Sequence, residues 1–150
     1  MKDYRFHIEQ FIPQSIDRVF DFFSQAENLE QITPPWLHFR IVTPVPIDIH
    51  QGTCIDYRLQ LYGIPINWKT EISAWQPPLR FVDAQVSGPY TLWVHEHRFE
   101  KKDHGTMMFD TVVYNFRAGI LRPLVNRLFV AKRVHRIFAY RSSKIQELLG

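Results

Sequence analysis

The stretch from Trp75 to Tyr114 constrains the fold more than any other part of the chain: WQPPLRFVDAQVSGPYTLWVHEHRFEKKDHGTMMFDTVVY reads as three alternating strands joined by short turns. Turns this short join antiparallel neighbours, because a parallel pair needs a long crossover. In the middle strand Trp93, His95, His97 and Phe99 recur at every second position, so all four lie on one face of their sheet. Two imidazoles on an aromatic wall are the leading candidates for chemistry.

The same punctuation runs through the rest of the chain. Strands are expected at roughly 37–43, 53–62, 65–74, 80–86, 91–100 and 106–114, with Gly63, Pro77-Pro78, Ser87-Gly88-Pro89 and His104-Gly105 supplying the turns. A further strand opens the chain, where Tyr4, Phe6, Ile8 and Gln10 alternate with Arg5, His7, Glu9 and Phe11. Ser15 then caps a helix whose Ile16, Val19, Phe20 and Phe23 follow three-and-four spacing. A second short helix runs from about Ala26 to Ile32 and ends at Thr33-Pro34-Pro35, since proline cannot continue the ladder. After Gly119 the period predicts a long helix from about Leu121 to Leu149, with Leu128, Ala131, His135, Phe138, Ser142, Ile145 and Leu149 as its inward stripe.

This order predicts an α+β protein with a curved antiparallel sheet of about seven strands gripping a C-terminal helix. Its 150 residues, 45% apolar and 15% aromatic, suit one domain spanning 1–150 with a continuous core. The single cysteine, Cys54, excludes an internal disulfide and a cysteine-based zinc cluster, and its strand position predicts a buried thiol. No leader pattern and no apolar run of about 18 residues is present, so a cytoplasmic protein is expected. Charge is uneven. Residues 111–150 hold 8 Lys+Arg against 1 Asp+Glu, net +7, while residues 1–110 hold 10 against 14, net −4. Such a basic quarter is either the wet face of a helix or a contact for an anionic partner.

The element order resembles the helix-grip fold of the START-like superfamily, also called SRPBCC, Bet v 1-like or polyketide cyclase/dehydrase-like, over nearly the whole chain. Pro13–Phe23 (PQSIDRVFDFF) resembles the family's capped first helix, and Glu27–Trp36 (ENLEQITPPW) its second helix and exit turn. Arg80-Phe81-Val82-Asp83 with Gln85, Gly88-Pro89-Tyr90, Trp93, His95, His97-Arg98-Phe99, Gly105-Thr106, Asp110 and Tyr114 are similar to one subgroup. It includes small stand-alone proteins and domains fused to sugar-nucleotide epimerase-like proteins. This chain has no glycine-rich nucleotide fingerprint, so the fused partner's chemistry is not carried over. The resemblance implies a deep cavity between sheet and C-terminal helix, holding lipids, sterols, polyketides or other apolar small molecules.

Phe20, Trp36, Tyr57, Leu59, Trp68, Trp93, Phe109 and Phe138 are the candidate walls, and His95, His97 and His135 the candidate polar contacts. Asp110 is their partner only if the adjacent strand pairs so that it falls opposite His97; a slip of one residue would place it beside Glu96 on the other face. Arg98, Glu96, Asp56, Arg58 and Glu71 read as solvent-facing. The favoured function is binding or carrying a small, largely apolar molecule, lipid-like or polyketide-like. One alternative is a cyclase- or dehydrase-type enzyme with His95, His97 and Asp110 as acid and base. Another is an interaction module whose Arg127, Lys132, Arg133 and Arg136, continued by Arg141 and Lys144, meet anionic partners. No cofactor is called for. Two histidines at i and i+2 can face one metal ion, but a stable site wants a third ligand and oriented carboxylates, so no metal is expected.

Overall fold

The computed structural model describes residues 2–150. Its alternating segments form β1 (Tyr4–Ile12), β2 (Arg40–Ile41), β3 (Cys54–Leu61), β4 (Ile64–Gln76), β5 (Arg80–Ser87), β6 (Leu92–Lys102) and β7 (Gly105–Asn115). All neighbours are antiparallel in one open sheet ordered β1-β7-β6-β5-β4-β3-β2, so every link from β2 to β7 joins adjacent strands and only β1 crosses over. The register slips between Lys69 and Thr70 and again between Ile72 and Ala74 on β4. Extra residues of this kind bend a strand and raise its twist.

Two helices follow β1, namely α1 (Ile16–Phe23) and α2 (Ala26–Ile32). Ser15 caps α1 as its sequence predicts, its Oγ accepting from the Arg18 amide at 3.3 Å. The strand expected at 37–43 shrinks to two residues. His38 takes a left-handed φ of 48° after a 3₁₀ turn at Pro35–Leu37, which breaks the extended run.

The C-terminal helix is also interrupted. A 3₁₀ turn at Gly119–Leu121 leads into α3 (Arg122–Val125), a π-turn at Asn126–Val130 and then α4 (Ala131–Leu149). Asn126 in the wide turn accepts a 2.7 Å hydrogen bond from the Tyr114 hydroxyl, pinning the helix to β7. The inward stripe of α4 is Val134, Phe138, Arg141, Ile145 and Leu149. His135, expected on that stripe, is exposed, and Arg141 takes the inner place that hydropathy assigned to Ser142.

Between sheet and helices the core falls into two apolar blocks. One packs α1 and the end of α4 on Ile12, Phe81, Phe99 and Met108; the other packs Val134 and Phe138 on Phe6, Val112 and Tyr114. The join between them is polar: Asp110 lies between Met108 and Val112 on β7, and Arg141 between Phe138 and Ile145 on α4. Cys54, expected to be buried, is exposed, because β3 turns Ile55 inward and so turns Cys54 out.

Phe99 centres the first block, 1% exposed, with its ring 5.7 Å from Phe20 and 5.6 Å from Phe23. Phe99→Ala should therefore lower unfolding stability by about 3–5 kcal/mol in urea melts. A loss below about 0.5 kcal/mol, the range of surface changes, would contradict this packing.

Candidate functional site

The site begins with strand register. Asp110 pairs across the β6–β7 hairpin with His97, and Asp83 pairs across β5–β6 with His95. Of the two registers open to the sequence, the structure adopts the one that places the carboxylate on the histidine face. Both imidazoles are buried and stack on each other with centroids 3.7 Å apart, and Phe81 lies flat against His97 at 4.1 Å.

The hydrogen bonds run diagonally across the sheet. His95 Nε2 donates to Asp110 Oδ1 at 2.7 Å, and His97 Nε2 donates to Asp83 Oδ2 at 2.7 Å. His97 Nδ1 lies 3.3 Å from Asp110 Oδ1, so a protonated His97 ties the two carboxylates together. Arg141 descends from α4, with one guanidinium nitrogen 3.5 Å from His97 Nδ1 and 3.9 Å from Asp110 Oδ1. Its Nε is buried without a partner.

The charges balance. Burial works against ionising Asp110, but Arg141 and the hydrogen bonds from His95 and His97 outweigh it and hold the carboxyl well below the usual range. Asp83 is likewise held low despite burial, chiefly by its hydrogen bond from His97. The two histidines separate: burial and the neighbouring His97 push His95 down, whereas for His97 the bonds to Asp110 and Asp83 overcome burial and push it up. Between those values the layer holds two anions, His97 and Arg141 as cations, and a neutral His95. With its proton on Nε2, neutral His95 keeps Nδ1 as a free acceptor.

Beside this layer lies a cavity of about 160 Å³. Leu37, Phe39, Leu59 and Phe138 give it apolar walls, and Trp68, Tyr90 and Trp93 close one side as a cage of rings 4.8–5.6 Å apart. A smaller cavity of about 50 Å³ lies under α2, and Asp83, His97, Arg141 and Tyr57 border both. Burial and the nearby Asp83 carboxylate raise Tyr57, so it is a neutral phenol. Tyr90 is held over the cavity by Gln85, whose amide donates to the Tyr90 carbonyl at 2.7 Å and accepts from its N–H at 3.1 Å. A Cβ at Gly88 would sit 2.6 Å from that amide's oxygen, so a larger residue there would push Gln85 off Tyr90.

Of the residues expected to line the cavity, Tyr57, Trp68, Trp93, His95, His97 and Phe138 do, and Leu59 joins them. Three do not. Trp36 is 40% exposed and packs on Tyr140, because the 3₁₀ turn carries it outward. Phe109 must face away from Asp110 on the same strand, and it lies outside under the Arg98 guanidinium. His135 misses the inner stripe by one residue and rests edge-on against Phe6. Phe20 belongs to the first apolar block. Glu96 pairs with Arg80 at 2.7 Å and Arg98 with Glu100, as outward residues do. Tyr90, Asp83 and Arg141 were missed as site residues. Alternation of Phe81, Asp83 and Gln85 could have placed Asp83 inward, but no pattern distinguishes Arg141 from the other basic residues of its helix.

Asp83, His95 and His97 bring a carboxylate oxygen and two ring nitrogens within 4.8 Å of one another. In number they fit a metal ion, with Asp110 behind both rings. An ion would have to displace the hydrogen bond between His97 and Asp83 and sit beside the fixed charge of Arg141, so the geometry favours a hydrogen-bonded network.

The two imidazoles should titrate on opposite sides of about pH 6.5, His97 above and His95 below, in NMR of the ring nitrogens. Asp110→Asn should bring His97 down and cost about 3–5 kcal/mol by leaving Arg141 underpaired. The sign for stability follows: His97 contributes below about pH 6.5 and its contribution fades as pH rises through its raised folded value, whereas Asp83 and Asp110 contribute above about pH 4 and are lost as pH falls through their depressed values. Coincident titration of both rings near their free value would refute the layer's charge arrangement.

Comparison with known proteins agrees with this architecture. The Zhui aromatase/cyclase from Streptomyces superposes with a TM-score of 0.76 at 16% identity, covering 97% of this chain and 93% of that one. A protein of Thermus thermophilus gives 0.72 at 19% identity, covering 96% and 95%. The nucleoside-diphosphate sugar epimerase of Corynebacterium glutamicum gives 0.66 at 21% identity, where 95% of this chain matches only 28% of the larger protein. None of the curated proteins matches in sequence. The family described as polyketide cyclase / dehydrase and lipid transport matches residues 12–139, and the chain belongs to that family.

Proposed function

We propose that residues 1–150 act as one cytoplasmic domain that binds or carries a small, largely apolar organic molecule bearing at least one oxygen. The observation that carries this reading is an apolar cavity bordered on one side by the charge-balanced layer of Asp83, His95, His97 and Arg141. His95 Nδ1 makes no hydrogen bond, its nearest charged neighbour being Asp83 Oδ2 at 3.9 Å, and the Tyr57 hydroxyl is a donor within the same walls. A ligand oxygen placed there makes its hydrogen bonds in a low-dielectric setting, where each is stronger than on an open surface.

Size narrows the class. A cavity of about 150 Å³ takes up benzene, and drug-sized ligands occupy about 300–1,000 Å³. At about 160 Å³ the cavity accepts one ring as it stands, and a second would extend through its open side. A long acyl chain or a multi-ring polyketide would need α2 and α4 to part and join it to the smaller cavity.

One observation supports a second reading. The same site holds a histidine pushed down and a histidine pushed up, and separated pairs of this kind are how acid and base roles are divided in catalytic sites. In a cyclase- or dehydrase-type reaction, His95 would be the base and the His97 layer its counter-charge.

The direct test compares 2-naphthol with naphthalene, followed by fluorescence of the caged tryptophans. The wild-type protein should bind naphthol more tightly, and His95→Gln should shrink that preference about three- to tenfold, the worth of one hydrogen bond, while naphthalene binding holds. An unchanged preference would remove His95 from the proposed site.

A further inference from the structure

The stretch from Thr111 to Gln146 contains no Asp or Glu. Its turn and first helical residues carry large apolar side chains to solvent: Ile120 is 97% exposed, Leu121 57% and Phe129 54%, with Leu124 and Leu128 beside them. This is not a fraying end. Arg122 is buried within the same stretch, donates to Asn115 Oδ1 at 2.6 Å and lies over the Tyr4 ring, while Asn126 is bonded to Tyr114. A held segment that points its leucines outward presents a surface rather than a defect.

Its charges are unpaired as well. Among the described residues, Arg117, Arg127, Lys132, Arg133 and Arg136 form no salt bridge, in contrast to Arg80, Arg98 and Lys144 elsewhere. Arg133 instead lies over Tyr62 at 4.1 Å and Arg136 over Trp36 at 5.0 Å, two aromatic rings that are themselves exposed. Apolar side chains beside unpaired cations and exposed Trp and Tyr match a bilayer boundary, where apolar groups enter the acyl region, aromatic rings sit at headgroup level and cations meet lipid phosphate.

We infer that residues 117–136 form a docking surface for an anionic lipid bilayer, with Ile120, Leu121, Leu124 and Phe129 inserting and Arg117, Arg127, Lys132, Arg133 and Arg136 on the phosphates. Position adds a second argument. An outer groove beside this segment is lined by Leu61, Tyr62, Tyr90, Phe116, Arg117 and Arg133, and Leu61 and Tyr90 also line the internal cavity. Docking in this orientation brings the side of the cavity nearest Tyr90 to the lipid boundary, from which an apolar ligand would not have to cross water. The docking surface stands independently of what the cavity holds.

The test is sedimentation of the full chain with vesicles of phosphatidylcholine alone and of equal parts phosphatidylcholine and phosphatidylglycerol, without added ligand. Binding should be confined largely to the anionic vesicles and fall as salt rises. Ile120→Asp with Leu124→Asp should abolish it, and Arg127→Glu with Lys132→Glu should weaken it at least tenfold, about fivefold or more for each charge removed. All four side chains are exposed, so both variants should keep the wild-type thermal transition, which calorimetry checks. Equal sedimentation with both vesicle types, or with both variants, would overturn the inference. So would a dimer lost in the Ile120→Asp, Leu124→Asp variant, which would assign the patch to a second copy. Tight RNA binding indifferent to that variant would assign the cations to nucleic acid.

Discussion

The structure depends on packing two carboxylates, one buried and one partly accessible, with two buried imidazoles and a buried guanidinium at the join of its two apolar blocks. None of these groups is tolerable there alone, because an unpaired buried charge costs several kcal/mol. Four elements supply them: β5 brings Asp83, β6 both His95 and His97, β7 Asp110 and α4 Arg141. Neutrality is reached only when three strands are in register and the helix lies across them at one height. The layer therefore ties the position of α4 to the sheet in a way that apolar packing, which tolerates sliding, does not.

That requirement also leaves a cavity. Asp83 keeps 23% of its side chain accessible and lines that cavity, so rings collapsing onto the layer would strip solvation from a carboxylate. Trp68, Tyr90 and Trp93 brace one another instead, with Gln85 fixing Tyr90 from below. Apolar wall, polar floor and aromatic side are consequences of one packing problem: a charged layer that must be covered but cannot be filled.

Most of the fold was legible because alternation and helical period are local. The meander from β3 to β7 and the two short helices follow from residue spacing and turn chemistry within a few positions. What the sequence left open was set by longer-range fits. The side occupied by Asp110 turned on a register that single-strand patterns do not encode, and the inward place of Arg141 ran against its charge because its partners lie on other elements. His135 and Phe109 failed for the complementary reason. Each belongs to a residue type favoured in cavities, yet the α4 stripe and the β7 alternation turn them outward. His38 shows how one left-handed residue removes a strand that composition supports.

The proposed ligand, an oxygen-bearing apolar molecule, would sit between the aromatic cage and the polar layer. Isotope-filtered NOE spectroscopy on the protein saturated with 2-naphthol tests this placement most directly. The account predicts contacts from the ligand ring to Trp93 and Phe138 and to the His95 imidazole. Contacts confined to exposed side chains such as Ile120, Leu124 and Phe129, with none to the cage or to His95, would contradict it.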